Sequence, residues 1–269
     1  MNGQVFCMWS TEQLRPAIWA GFTDAAAGNL AFHVGDDPAA VTGRRAGVDA
    51  EISRHAGDGV RLAYMEQVHG NAVAELTDGG FTVDGVPTAG PHPVADAMVA
   101  MGEAGTSAGL AVMVADCVPV VLAGETASGE PVLAVAHAGR PGVEKGVIAA
   151  VVARMQAAGA GTISAVLGPS VCGRCYEVPE AMRAAVAARV PESFATTSWG
   201  TPALDLPAAV LAQLRAAGDT AVPSGVCTLE DPRFFSHRRS MRDAEAEGRF
   251  IGFVAASRTS TNPRKAPTP

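Results

Sequence analysis

The sequence predicts an α+β fold, a single-domain sandwich of mixed β-sheets with helices packed outside. Three observations carry this expectation. Apolar runs of strand length (94–101, 110–115, 118–123, 131–136 and 163–167) gather in the middle of the chain. Helical patterns flank this cluster without alternating strictly with the strands. Hydrophobic residues make up 48% of 269 positions against 17% charged, enough apolar material for one large core. No internal repeat or linker divides it.

The elements follow in order. Residues 1–20, with Trp9 and Trp19, read as an early strand or turn that enters the core. Residues 29–38 form a loop ending at Asp37-Pro38, where proline suits the first helical position. A helix is expected from there to about His55, with Val41, Val48 and Ile52 on one side. The run 60–67 is strand-like and delivers His69 just past its end. Runs 118–123 and 131–136 flank Gly124-Glu125-Thr126-Ala127-Ser128-Gly129-Glu130 and read as a β-hairpin. A helix is expected from Pro141 through Met155, on the stripe Val143, Val147, Val151 and Met155. A short buried strand, 163–167, ends in Gly168-Pro169, and 179–190 is helical. Asp205 caps a helix over 206–217 that Gly218 closes. The domain is placed at 1–255. Residues 256–269 lack large apolar side chains and are expected to be a disordered tail.

Composition excludes several classes. A formal net charge of -7 and the lack of an extended Lys/Arg stripe argue against nucleic-acid binding. The N-terminus shows no basic segment followed by an apolar one, and no run approaches the roughly 18 apolar residues of a membrane span. A cytoplasmic protein without membrane partners is expected, and the sequence carries no signal for an oligomeric state. Five cysteines, an odd number in a chain of this size, fit reduced thiols better than a disulfide framework.

Three segments carry the chemistry: Gln67-Val68-His69-Gly70, Ala115-Asp116-Cys117 and Ala136-His137-Ala138-Gly139. Two imidazoles and one thiolate are what a catalytic zinc needs when one coordination position stays open. The hairpin returns its second strand to where the first began, so Cys117 and His137 meet at its open end; tertiary structure must deliver His69. The spacing is unlike the compact helical pairs of zinc proteases. Each residue alone also fits a structural role, a turn histidine or a small buried thiol; the combination at strand ends favours a site. Asp116 reads as an acid/base, a partner behind a ligand, or a strand-end cap. Cys172-Gly173-Arg174-Cys175 lacks a second CxxC for a structural zinc and the strand-to-helix setting of a thioredoxin-like redox motif, and reads as incidental thiols in a turn. Glu177, ahead of Pro179, either orients a substrate or serves as a helix N-terminal anion. Phe234-Phe235-Ser236-His237-Arg238-Arg239 reads equally as a stacking platform with anion contacts or as a strand with Phe inward and Arg solvated. His33, His55, His92 and His237 stay unassigned, with His55 placed at the surface.

Together with these segments, Asn29-Leu30, His33-Val34-Gly35-Asp36-Asp37-Pro38, Ala95-Asp96-Ala97, Val118-Pro119-Val120, Gly168-Pro169, Cys175-Tyr176-Glu177-Val178, Asp205-Leu206, Cys227-Thr228, Phe234-Phe235-Ser236, Arg238-Arg239 and Gly248-Arg249 occur in an order that resembles the laccase-domain (multicopper polyphenol oxidase-like) purine nucleoside phosphorylases. The resemblance covers nearly the whole folded chain. It implies a zinc site on His69, Cys117 and His137. It also implies phosphorolysis of adenosine, inosine, guanosine and methylthioadenosine with phosphate, and an adenosine deaminase activity. Asp116, Cys117 and Glu177 are expected to serve the chemistry, and Asn29, Arg44, Arg140, Tyr176, Phe235 and Arg238 to contact substrate. In deamination, zinc would activate water against the purine C6, with Asp116 or Glu177 moving the proton. Arg140, Arg44 and Arg238 are the candidates for holding phosphate. Multicopper chemistry gains little support, because it needs many more histidine ligands. One departure stands out: the family pattern after the second histidine is Ala-Gly-Trp-Arg-Gly, and here it is Ala138-Gly139-Arg140-Pro141-Gly142. Two alternatives remain open. One is a zinc- or cysteine-dependent amide hydrolase editing peptidoglycan precursors, with Cys117 as nucleophile and His137 as base. The other, a binding module with structural zinc, is disfavoured because three ligands are found instead of four.

Overall fold

The computed structural model describes residues 8–57, 59–101 and 108–257. The chain opens with strands β1 (Met8–Arg15) and β2 (Ile18–Thr23), followed by helix α1 (Pro38–Ala56). Strands β3 (Arg61–Ala63), β4 (Val73–Thr77), β5 (Gly80–Val83), β6 (Val86–Pro87), β7 (Ala97–Met101), β8 (Ala108–Val114), β9 (Val118–Glu125) and β10 (Pro131–Ala138) follow. Helices α2 (Arg140–Lys145) and α3 (Val147–Ala157) lead to β11 (Ser164–Leu167) and α4 (Glu180–Ala187). The chain then runs through β12 (Phe194–Thr196), β13 (Pro202–Leu204), α5 (Leu206–Ala216), β14 (Thr220–Pro223), α6 (His237–Asp243) and β15 (Phe250–Ala256).

Two mixed sheets face each other. One has the order β1-β2-β15-β8-β3, the other β14-β11-β9-β10-β7-β4-β5-β6. Side chains alternate across a strand, so each central strand supplies both of its faces. In β10, Leu133 and Val135 join Val121 and Ala123 of β9 in the core between the sheets, against Leu110, Val112 and Val254. Val132, Ala134 and Ala136 point the other way, under Val147, Val151 and Met155 of α3 and Val210 and Leu214 of α5. On the far side of the five-stranded sheet, Val48 and Ile52 of α1 cover Ala111, Ile251 and Phe253. The result is four layers, helix–sheet–sheet–helix. This is the expected sandwich of mixed sheets with outer helices. Burial on both faces explains why the central strands read as continuous apolar runs.

The expected hairpin forms in the register Val118↔Ala138 and Pro119↔His137. Helix α1 starts where Pro38 predicts, with the Asp37 carboxylate accepting from the Ala39 N–H at 3.1 Å. Asp205 caps α5 by accepting from the Ala208 N–H at 2.9 Å. Several expectations are corrected. The single helix over 141–155 is two, because Gly146 adopts a left-handed conformation (φ 80°) that ends α2 and starts α3. The strand over 60–67 shortens to β3. Strand β15 reaches Ala256, and the Ser257 N–H donates to the Ala17 carbonyl at 2.6 Å, so the domain extends past 255. The rest of the expected tail, 258–269, lies outside the described residues. Ser236 accepts from the Arg239 N–H and caps α6, which removes the strand reading of 234–239.

Candidate active site

The chain changes sheets at Ala115-Asp116-Cys117: β8 belongs to the five-stranded sheet and β9 to the eight-stranded one. Asp116 makes this crossing in a left-handed conformation (φ 82°), which turns Cys117 out at the mouth of the sandwich. His137 sits one residue from the end of β10, opposite Pro119. His69 arrives from the turn after β3, also left-handed (φ 59°). The Cys117 Sγ lies 3.8 Å from the His69 Nε2, and the two imidazole rings are 4.6 Å apart, edge to face. One donor atom from each of the three residues lies within 4.8 Å of the other two. A tetrahedral zinc with ordinary bond lengths puts its sulfur and nitrogen ligands about 3.6 Å apart, so the set fits a divalent metal with an open position. Gly139 is required here: a Cβ on it would stand 2.7 Å from the His69 Cδ2 and 3.0 Å from the Cys117 Sγ.

Asp96 orders the site. It is fully buried just ahead of β7, which pairs with β10. Its Oδ1 accepts from the His137 Nδ1 at 2.8 Å and the His69 N–H at 2.9 Å; its Oδ2 accepts from the Gly70 N–H at 2.5 Å and the Val68 N–H at 3.2 Å. One carboxylate thus fixes the turn carrying His69 and the tautomer of His137, leaving the His137 Nε2 for a metal. Burial would push the Asp96 carboxyl up, but the hydrogen bonds from His137 and Gly70 outweigh it and hold it below the usual range. Burial would likewise push the Cys117 thiol up, and the His137 and His69 imidazoles bring it down instead. Against its own burial, His137 is held protonated to higher pH by Cys117 and Asp96.

A cleft of about 430 Å³ opens over this cluster, within the range of small-molecule sites. Asp116, Arg140, Tyr176 and Arg238 line it with the three donor residues, as do His33, Gln67, His237 and Arg249. Asp116 accepts from the Thr228 hydroxyl at 2.6 Å and from the Arg238 N–H at 2.8 Å, so it fixes the start of α6. Arg238 lies 4.2 Å over the Tyr176 ring and donates to the Glu177 carbonyl at 2.7 Å. Arg140 opens α2 and pairs with Glu144 at 2.7 Å.

Four expected site residues do not line the cleft. The Asn29 amide serves its own loop, donating to the Ala31 carbonyl and the Asp36 carboxylate. Arg44 is held by Asp36 at 2.6 Å and by the Asn29 carbonyl. The Glu177 carboxylate accepts from the Trp199 indole at 2.9 Å, and its place in the site is through its carbonyl. The Phe235 ring packs where a Cβ on Gly248 would stand, beside the core between the sheets. Asp96, whose signal was an acid inside an apolar stretch, and Gln67 stood in the quoted segments but had no role assigned to them. The Gln67 side chain donates to the Met113 carbonyl at 2.7 Å and accepts from the Met113 N–H at 2.8 Å, tying the His69 turn to β8.

A family model described as multi-copper polyphenol oxidoreductase laccase matches residues 20–257. The chain belongs to this family. Among its relatives, purine nucleoside phosphorylase ORF3 of Streptomyces griseus is 46% identical over 242 residues, covering 88% of this chain and 90% of that protein. Purine nucleoside phosphorylase SCO2081 of Streptomyces coelicolor is 46% identical over 246 residues, covering 87% and 93%. Among solved structures, the hypothetical protein YfiH of Bacillus licheniformis superposes with a TM-score of 0.72 at 26% identity, covering 89% of this chain and 93% of that one. YlmD of Geobacillus stearothermophilus gives 0.71 at 27% identity, covering 91% and 94%. The laccase-family name and the donor set sit uneasily together. Of the six histidines, only His69 and His137 share a potential metal group among the described residues, too few for a multicopper centre.

Proposed function

We propose that the chain is a zinc-dependent purine nucleoside phosphorylase that also deaminates adenosine. The supporting observation is the cleft itself, which sets three metal donors with an open position beside Arg140, Arg238 and Arg249. Relatives 46% identical over most of their length carry the name purine nucleoside phosphorylase. Substrates are adenosine, inosine, guanosine and methylthioadenosine with phosphate. In phosphorolysis a phosphate oxygen bonds to the sugar C1′ as the C1′–N9 bond breaks, and the purine leaves with the bonding electrons and gains a proton. In deamination water replaces the C6 amino group, which leaves as ammonia.

His69, Cys117 and His137 would hold the metal, which would supply Lewis acidity to the cleft. Arg238, anchored over Tyr176 and by Glu177, offers a fixed guanidinium to phosphate. Arg140 stands one position ahead of the family arginine yet still lines the cleft, so it is the second phosphate contact. Asp116 is a positioning residue: its two accepted bonds set the backbone of Arg238. Among the described residues no helix is long and apolar enough to cross a membrane.

The test is product analysis on zinc-quantified protein given adenosine with and without phosphate. Phosphate-dependent adenine release is expected, with inosine forming independently of phosphate. Arg238→Ala and Arg140→Ala should each raise the phosphate KM on the order of tenfold or more, from the loss of one charge-assisted contact. Turnover that persists in metal-stripped protein and stops on Cys117 alkylation would overturn the reading in favour of a cysteine nucleophile.

A further inference from the structure

We propose that Cys172, Cys175, Cys227 and Glu230 form a second metal site, closed and zinc-binding, that clamps together the two loops behind the cleft. Three sulfurs and a carboxylate oxygen lie within 4.8 Å of one another. The two halves share one design. The Cys172 carbonyl accepts from the N–H groups of Cys175 and Tyr176, each at 2.9 Å. The Cys227 carbonyl accepts from those of Glu230 at 3.2 Å and Asp231 at 2.9 Å. Each turn therefore aims side chains three residues apart at a common point, the geometry of a CxxC zinc knuckle facing a CxxE one.

The halves are docked before any ion arrives. The Thr228 N–H donates to the Ser170 carbonyl at 3.1 Å, and the Cys172 N–H donates to the Cys227 sulfur at 3.4 Å. The Cys175 thiol meets the Glu230 carboxylate at 3.4 Å. Cys175 and Cys227 are buried, Cys172 is half-buried, and Glu230 closes the outer side. A single disulfide would account for only two of these groups, leaving a third thiol and a carboxylate beside it; the described cysteines carry none. Soft thiolates select zinc over hard cations, and four protein ligands make the closed set of a structural site. The open donor set on His69, Cys117 and His137 is its opposite in function.

The neighbours of these ligands explain what the clamp holds. Val171 and Tyr176, each next to a ligating cysteine, line the cleft, and Thr228, next to Cys227, binds Asp116. Incidental thiols in a turn is therefore not the reading the structure favours: the second half of the motif lies far downstream and ends in Glu instead of Cys.

The proposal does not depend on the reaction, so its failure would leave the nucleoside reading intact. Zinc is counted by elemental analysis in full-length wild type, Cys117→Ala and Cys227→Ser. About two ions per chain are expected in wild type and about one in each variant. Cobalt-loaded Cys117→Ala should show an intense thiolate-to-cobalt absorption, which three sulfur ligands give and a nitrogen–oxygen site does not. Absence of zinc from Cys117→Ala would overturn the proposal, as would a mass showing a disulfide within the trio in freshly purified protein. If Cys227→Ser does not fold, Cys117→Ala alone decides, since its cobalt spectrum reports only the second donor set.

Discussion

Replacing Asp96 by Asn tests how one buried carboxylate organises the metal site. Asp96 is fully buried, and each of its oxygens accepts two hydrogen bonds. Asparagine keeps the shape and one acceptor oxygen. Whichever way its amide turns, the NH2 group faces two N–H donors. If it replaces Oδ2, the Gly70 and Val68 N–H groups lose their acceptor and the His69 turn loosens. If it replaces Oδ1, His137 must accept at Nδ1, which moves its proton to Nε2 and removes a metal ligand. In the first case two part-buried donors left without partners cost up to about 2–6 kcal/mol. Losing the carboxylate behind a ligating histidine lowers metal affinity by about 10–100-fold. Urea unfolding with and without zinc, and competition against a chelator of known affinity, measure both quantities. Zinc affinity within about threefold of wild type in a folded Asp96→Asn protein, well short of that loss, would refute the reasoning.

Three further outcomes are expected. Gly139→Ala should weaken zinc binding on the order of tenfold while thermal stability stays close to wild type, because the new Cβ strikes His69 and Cys117 in a backbone conformation any residue adopts; unchanged zinc affinity counts against the ligand assignment. In metal-stripped protein Cys117, brought down to about 6 by the imidazoles against its burial, should be alkylated rapidly at neutral pH and protected by zinc, as read by mass spectrometry; equal labelling with and without zinc contradicts this. Asp36 is held below the usual carboxylate range by the Asn29 amide and Arg44. A depressed carboxyl stabilises the fold above its unfolded pKa, about 3.9, and loses that contribution as pH falls through its folded value. Asp36→Asn should therefore lower the urea midpoint at pH 7, with the difference from wild type closing in acid; a difference independent of pH would be inconsistent with it.

The parts of the fold legible in the sequence were those set by local chemistry. Two apolar runs around a Gly/Ser turn gave away the hairpin that joins Cys117 to His137, and Pro38 and Asp205 marked their helices. The layer order was not legible, because β8, β9 and β10 are apolar on both faces and such runs carry no signal for their partners. The hairpin of β4 and β5 turns at Asp78-Gly79, a cue that was in the sequence and went unassigned. The break at Gly146 was hidden because an isolated glycine in a helical pattern is ordinarily tolerated. Asn29 and Arg44 looked like substrate contacts because Asn29 lies in a segment that carries the resemblance and the Arg44 guanidinium suits phosphate. Their neighbour Asp36, which satisfies both, could be recognised only once the loop was folded. The Cys172–Glu230 cluster was illegible for a related reason, since its two halves lie 55 residues apart and meet only in the folded chain.

The central proposal is that the cleft over His69, Cys117 and His137 carries out phosphorolysis and needs a metal held by these three residues. Phosphorus NMR of zinc-loaded and metal-stripped protein, each given adenosine and inorganic phosphate, tests it most directly. The account predicts that ribose 1-phosphate accumulates with the zinc-loaded protein, is absent from the stripped one, and returns when zinc is restored. Equal formation in both samples, or none in either, would contradict it.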